Sequence, residues 1–254
     1  MNSTIAFQTI LRKEITRFLR IWTQTLLPSV ITMALYFLIF GTIIGSKIED
    51  MAGFTYIEFI LPGLIMMAVL TNAYSNVSSS FFGMKFMRSI EEIMVSPTPA
   101  WVVVSGFTLG GVARGLCVGV LVTIVGLFFT TIPIHNIFFI LLYVLLTALA
   151  FSLAGFTNGM FARKFDDVSI VPTFVLTPLT YLGGVFYSIS LLPEPFRTIS
   201  KFNPLVYMID GFRYGFLGIH ENSLLLGLAI LVILCVTLFI VNVRLVKRGS
   251  GLRN

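Results

Sequence analysis

A chain of 254 residues that is 57% hydrophobic and only 11% charged, with a mean hydropathy of +0.97, is too apolar for a soluble domain, where about a quarter of residues are charged. The formal charge of +6 does not point to nucleic acid, because the basic residues gather at the edges of apolar runs, where they act as topology signals. Cys117 and Cys235 both fall inside apolar runs, so neither a disulfide nor a metal site is expected.

Residues 4–24 come first and are periodic. Phe7, Ile10, Leu11, Ile15, Phe18, Leu19 and Trp22 recur at helical spacing, while Arg12, Lys13, Thr16, Arg17 and Arg20 fill the other face. Such a helix lies in the interface plane with its basic face toward anionic lipid headgroups. A juxtamembrane basic patch that only sets topology is the alternative. A cleaved leader is not expected, since about 25 polar or amphipathic residues precede the first long apolar run.

A spanning helix needs about 20 mainly apolar residues at about 1.5 Å rise each. Six stretches qualify, roughly 26–45, 57–78, 102–129, 137–160, 168–187 and 223–243. The chain 1–254 is therefore expected to be a single all-α polytopic membrane domain. Lys and Arg set its orientation. With the N-terminus inside, the cytoplasmic segments hold Arg12, Lys13, Arg17, Arg20, Lys85, Arg88, Arg163, Lys164, Arg244, Lys247, Arg248 and Arg253. The opposite side holds only Lys47, Arg197, Lys201 and Arg213, so both termini are expected in the cytoplasm.

The second span opens with Glu58 and Pro62-Gly63, then carries Asn72, Ser75, Asn76 and Ser79 at helical spacing. In lipid such a stripe faces other helices or lines a substrate path. Residues 81–100 follow as a charged interruption. Phe82, Phe86, Ile90 and Ile93/Met94 are expected on one helical face, with Lys85, Arg88, Ser89 and Glu92 on the other. Arg88 and Glu92 are spaced to pair. Ser96-Pro97 ends this helix, and Thr98-Pro99 starts the next as N-cap and first-turn proline. Periodicity alone leaves an ordinary inter-span loop equally open.

In the third span Gly111, Gly115 and Gly119 form a small-residue ladder, preceded by Gly106 and Gly110. Small residues admit close helix approach and are a weak signal of dimerisation. Arg114 within it would cost about 2.5–3.5 kcal/mol at a span centre, so it is expected to face a polar interior or to snorkel. Asp166 and Asp167 are expected to cap the fifth helix; a magnesium site would need a second acidic cluster, and none exists. Pro172, Pro178, Gly183 and Gly184 offer flexibility there or simply kink the helix. After that span Pro193/Pro195 and then Asn203-Pro204 mark two helix starts. The segment 193–217, with Tyr207 and with Asp210 and Arg213 spaced to pair, reads as re-entrant or interfacial helices on the outer side. His135 and His220 fall in outer loops.

No G-x-x-x-x-G-K-[ST], G-x-S-x-G, H-E-x-x-H or zinc-spaced Cys/His set occurs. The chain has no phosphate-cradling loop of its own.

Lys85 to Pro99, K-F-M-R-S-I-E-E-I-M-V-S-P-T-P, following a polar second span, resembles the coupling-helix region of ABC-2 type transporter permeases. Asn203-Pro204-Leu205-x-Tyr207 with Gly211-x-Arg213 is similar to that family's stretch between its fifth and sixth spans. The likeness extends over essentially the whole chain and is nearest to drug- and nodulation-factor-type exporters. It implies a half-transporter of the bacterial inner membrane: two permease copies with two separate ABC ATPase subunits, which would bind ATP and magnesium while this chain holds no cofactor. It also implies that Lys85, Arg88, Glu91, Glu92, Pro97 and Pro99 form the ATPase-coupling region, with an amphipathic or lipid-linked substrate. Rival readings are a self-contained secondary transporter or channel, which would want a mid-membrane ionisable relay or an internal repeat, and an intramembrane transferase.

Overall fold

The structure is a computed structural model and describes residues 3–48, 50–249 and 251, without the side chain of Met94. Arg253, counted above for topology, and Met94, placed above on a helix face, therefore lie outside what is described. Among the described residues the chain is helical, with one isolated bridge between Met51 and Phe54. In order run α1 (Ser3–Arg20), α2 (Trp22–Thr25), α3 (Leu27–Tyr36), α4 (Tyr56–Phe86), α5 (Ile90–Val95), α6 (Ala100–Gly126) and α7 (Ile137–Phe161). Then come α8 (Phe165–Val171), α9 (Thr177–Tyr181), α10 (Phe196–Lys201), α11 (Pro204–Leu217) and α12 (Leu224–Arg248).

The bundle is built around α4. Its 31 residues make a rod about 46 Å long at 1.5 Å per residue, and 83% of its apolar window is buried. Thr55 and Glu58 start it with a capping box, the Glu58 carboxylate accepting from the Thr55 N–H at 2.9 Å and its hydroxyl at 2.8 Å. On one side lies α6, whose Gly111, Gly115 and Gly119 face Val77, Ala73 and Val69; on the other lies α7, whose Gly155 and Gly159 face the Tyr74 and Ser78 carbonyls. A Cβ at Gly159 would stand 2.7 Å from the Ser78 oxygen. The small-residue ladder is thus spent on packing within the chain. It provides no evidence of dimerisation.

Among the described residues five helices are long and apolar enough to cross a membrane: Trp22–Lys47, Tyr56–Phe86, Ala100–Gly126, Ile137–Phe161 and Leu224–Arg248. The first includes α2 and α3 and finishes in a π-helical stretch, Phe37–Ile44, and a 3-10 turn. The stretch expected as a fifth span, 168–187, is broken into α8, a π-helical turn Pro172–Leu176, and α9. Pro172 and Pro178 cause the break, because each lacks the N–H that would continue the ladder. The segment nonetheless runs the length of α4. Phe165 packs against Phe86 and Phe82 at one end, with ring centroids 4.8 and 5.0 Å apart. At the other end the Tyr56 hydroxyl donates to the Phe186 carbonyl at 3.0 Å.

The 81–100 stretch also differs from expectation. Its first six residues are the end of α4, and α5 begins only at Ile90. Arg88 sits between them at φ 59°, a left-handed conformation that ends one helix and re-aims the next. Arg88 and Glu92 are therefore not on one helix. Among the described residues the ion pairs are those of Glu14 alone, so the expected Arg88–Glu92 pair is not made. Pro99 is the N-cap residue of α6 rather than its first turn, and the Ser96 hydroxyl donates to that of Thr98 at 2.8 Å.

Tight helix contact on α4 predicts a steric cost. Gly159→Val should lower the thermal midpoint of the purified chain by the equivalent of about 1–3 kcal/mol. Gly83→Ala, which meets nothing within 4 Å, should leave it unchanged or raise it by about 0.5–1 kcal/mol. Thermal unfolding in detergent compares the two.

Candidate coupling face and buried polar seam

Helix α1 does not float on the bilayer as an independent amphipathic helix. It packs along α6, with Ala6, Ile10, Glu14 and Phe18 buried. Gly106 and Gly110 of α6 make the room; a Cβ at Gly106 would stand 2.6 Å from Ile10 Cγ2. Phe7, Leu11 and Ile15 are half-buried, whereas Leu19 and Trp22 stay exposed. Of the basic face, Arg12, Lys13 and Arg20 are exposed, and Arg17 turns inward.

Where α1 meets α4 and α6, polar side chains form a continuous seam. The Glu14 carboxylate, with no exposed surface, accepts from the Ser80 hydroxyl at 2.7 Å and from Arg17 Nη2 at 3.4 Å, and is ion-paired with Lys13 Nζ at 3.1 Å. Arg17 Nη2 also donates to the Asn76 carbonyl at 2.9 Å and its Oδ1 at 2.8 Å. One turn further along α4, Asn72 Oδ1 accepts from Arg114 Nη2 at 3.0 Å, and Asn72 Nδ2 donates to Ser29 at 2.9 Å. Arg114 donates also to the Thr25 carbonyl at 2.9 Å. The polar partner that sequence left open for Arg114 is thus Asn72, together with the backbone where α1 turns into the first span.

The predicted polar stripe of α4 splits in two. Asn72 and Asn76 are buried in the seam, whereas Ser79 is exposed and Ser75 half-buried; Thr71, outside the predicted stripe, is exposed as well. Thr71 and Ser79 bond back to carbonyls four residues earlier, at 2.8 and 2.6 Å, the usual way a hydroxyl satisfies itself on a helix in lipid. Glu14, Ser29 and Ser80 were missed. Glu14 carried a signal: it falls between Ile10 and Phe18 on the apolar face of an otherwise basic helix.

At the same end of the bundle, α5 stands out from the core. Ile90 anchors it among Phe81, Val103 and Phe107, while Glu91, Glu92 and Pro97 are exposed and Val95 is 87% exposed. Phe86, Met87 and Arg88 beside it are exposed too. Lys85 is occupied elsewhere. Its ammonium donates to the Met160 and Ala162 carbonyls at 2.8 and 2.9 Å, closing the C-terminus of α7 with a cation. Asp167 reaches back to the N–H groups of Arg163 and Lys164 at 2.8 and 3.0 Å, which hold its carboxyl below the usual range; it is the cap expected for this helix. Asp166 is exposed beside it.

On the opposite end, Asn203 caps α11 through Oδ1 to the Leu205 N–H at 3.0 Å, with Pro204 in the first turn. The Tyr207 hydroxyl donates to the Lys201 carbonyl at 3.0 Å. Asp210 and Arg213 are both buried but take separate partners. Asp210 accepts from the N–H groups of Glu221 and Asn222, and burial still pushes its carboxyl up. Arg213 donates to the carbonyls of Phe59 at 3.3 Å and Gly184 at 2.6 Å and lies 4.0 Å over the Phe59 ring. The expected direct pair gives way because the backbone offers each group better-placed partners. His135 and His220, exposed, stack edge-on against Tyr214.

A family model described as ABC-2 type transporter matches residues 5–217. Over 250 residues the chain is 58% identical to the Inner membrane transport permease YadH of Escherichia coli strain K12, covering 98% of each chain. It is 24% identical over 232 residues to Nodulation protein J of Rhizobium leguminosarum bv. viciae, covering 89% of this chain and 90% of that one. Nodulation protein J of Neorhizobium galegae is 21% identical over 238 residues, 93% of this chain and 91% of the relative.

Breaking the seam at its carboxylate should be costly. Glu14→Ala leaves two cations without their partner and should destabilise by about 3–5 kcal/mol. Glu91→Ala, on an exposed carboxylate, should stay within about 0.5 kcal/mol. Thermal unfolding of the purified variants measures the contrast.

Proposed function

The chain belongs to the ABC-2 type transporter family, and we propose that two copies of it form the membrane part of a bacterial inner-membrane exporter driven by two separate ABC ATPase subunits. ATP and magnesium would be bound by those subunits, since this chain has no phosphate loop. The observation that carries the reading is α5. It is short, charged at its start, exposed along Glu91, Glu92 and Val95, and joined at both ends to the core helices α4 and α6. A contact there moves the bundle with it.

Six crossings are part of the proposal. The 165–186 segment starts beside Phe86 and finishes beside Tyr56, which supports counting it as a crossing despite its broken helix. An even number places both termini on the side of α1 and α5, in agreement with the Lys and Arg bias toward the cytoplasm. ATP-driven closure of the ATPase pair would press on α5 and rock the two permease copies against each other.

The substrate class we infer is amphipathic or lipid-linked. Thr71 and Ser79 on α4 are exposed hydroxyls eight residues apart with half-buried Ser75 between them, and Ser169, Thr173 and Thr177 along the proline-broken segment are exposed hydroxyls four apart, both on otherwise apolar surfaces. Hydroxyls in that pattern suit a path lined by two copies and shared by apolar and polar parts of one molecule.

Charge reversal of α5 tests the coupling. The Glu91→Lys, Glu92→Lys chain should insert and melt as the native one does. Pulled from its own host, it should bring down at least about tenfold less ABC ATPase. Equal recovery of the ATPase with undiminished transport would remove α5 as the contact, and transport by the chain alone without nucleotide would sink the whole reading.

A further inference from the structure

The seam holds more positive charge than it neutralises. Lys13, Arg17 and Arg114 enter it, and Glu14 is its one carboxylate among the described residues. Three N–H donors from three helices also lack acceptors there: Arg17 Nε on α1, Asn76 Nδ2 on α4 and Arg114 Nε on α6. Asn76 is fully buried, and the Oδ1 of the same carboxamide is already taken by Arg17. Each buried donor left unpaired costs about 1–3 kcal/mol, and a buried charge without a counter-charge costs more. Turning the Asn76 amide over would not help, because it would set its NH2 against Arg17. What the seam lacks is an acceptor carrying negative charge.

A route for one exists. Arg17 has 29% of its side chain exposed and shares an open basic surface of about 600 Å³ with Thr9, Arg12, Lys13, Thr16 and Arg20 of the same helix. An anion drawn along this basic flank meets Arg17 first, and the buried Asn76 amide lies directly behind it, its Oδ1 2.8 Å from Arg17 Nη2. Tetrahedral phosphate oxygens match a guanidinium that already has one nitrogen engaged and one free.

We propose that Arg17 and Asn76, backed by Arg114, form a binding site for a phosphate-bearing anion, either the headgroup of an acidic phospholipid or soluble phosphate. The lipid source rests on the membrane placement proposed above. The site itself requires no ATPase, so its test is separate from that of coupling.

Purified full-length chain in uncharged detergent is titrated with dioleoylphosphatidylglycerol, with inorganic phosphate, and with dioleoylphosphatidylcholine for comparison. Thermal unfolding and native mass spectrometry are the readouts. Phosphatidylglycerol should raise the midpoint and stay bound where phosphatidylcholine does not. Equal protection by inorganic phosphate assigns the site to the soluble ion, and protection by the lipid alone assigns it to the headgroup. Arg17→Gln should weaken the response about tenfold or more, and Arg12→Gln less than about twofold. Asn76→Asp supplies the missing negative charge beside Arg17 and removes the amide donor, so the ligand-free midpoint should rise and added anion should do nothing more. The proposal is overturned if neither anion protects, or if the two arginine variants weaken the response equally. A lowered Asn76→Asp midpoint with the anion response intact overturns it too.

Discussion

The end of the molecule that carries α1 and α5 depends on how a single buried carboxylate is satisfied. Glu14 has no exposed surface, takes hydrogen bonds from Ser80 of α4 and Arg17 of its own helix, and is ion-paired with Lys13. A charge held in that setting is tolerable only when its partners are within bonding distance. That requirement fixes the axial position of α1 against α4. Arg17 then reaches Asn76, and Arg114 ties Asn72 to the start of the first span. Helix α1 is thereby a member of the bundle, and the first span, only 11% buried in its apolar window, is held at its root and again at its far end, where Phe37 is fully buried and Gly41 faces Ile57.

Bonds of about 2.7–3.0 Å between helices need backbones that come close, and the glycines supply the approach. Gly106 and Gly110 receive α1, and Gly111, Gly115 and Gly119 receive α4, from adjacent faces of the same helix. Lipid offers helices no hydrophobic reward for associating, so van der Waals contact and hydrogen bonding must provide it. Seam and glycine ladder are two parts of one solution. The polar bonds select the register, and the small residues permit the distance.

Much of this was legible in the sequence, for particular reasons. The second, third, fourth and last apolar runs, expected from about 57, 102, 137 and 223, start as helices at Tyr56, Ala100, Ile137 and Leu224, with Thr55, Asn136 and Ser223 capping three of them. The Asn203-Pro204 start of α11 was equally plain. Three things were not. Periodicity carried the 81–95 stretch through as one helix, since a non-glycine left-handed residue such as Arg88 has no marker in composition. The proline-broken segment kept its hydropathy and hid its π-helical turn. Arg17 reads as a surface charge, and Glu14 goes unnoticed, because amphipathic patterns describe a helix lying on a lipid surface, and they are blind to a helix lying on other helices.

The break at Arg88 bears on how force would travel from α5. A left-handed non-glycine residue costs roughly 1–2 kcal/mol, and here it uncouples the axis of α5 from that of α4. A load on α5 therefore does not run straight up α4. On the coupling role proposed for α5, it would pass sideways through Ile90 into the cluster of Phe81, Phe107 and Phe156, where α4, α6 and α7 meet, and endwise through Pro99 into α6. Those are the helices that the seam and the glycines lock to α1. Lys85, bonded to the end of α7, adds a further tie at the same level. An input at α5 would consequently displace α1, α4, α6 and α7 as one body. The first span, 11% buried in its apolar window, and the proline-broken segment would be the parts with most room to change their angle against it.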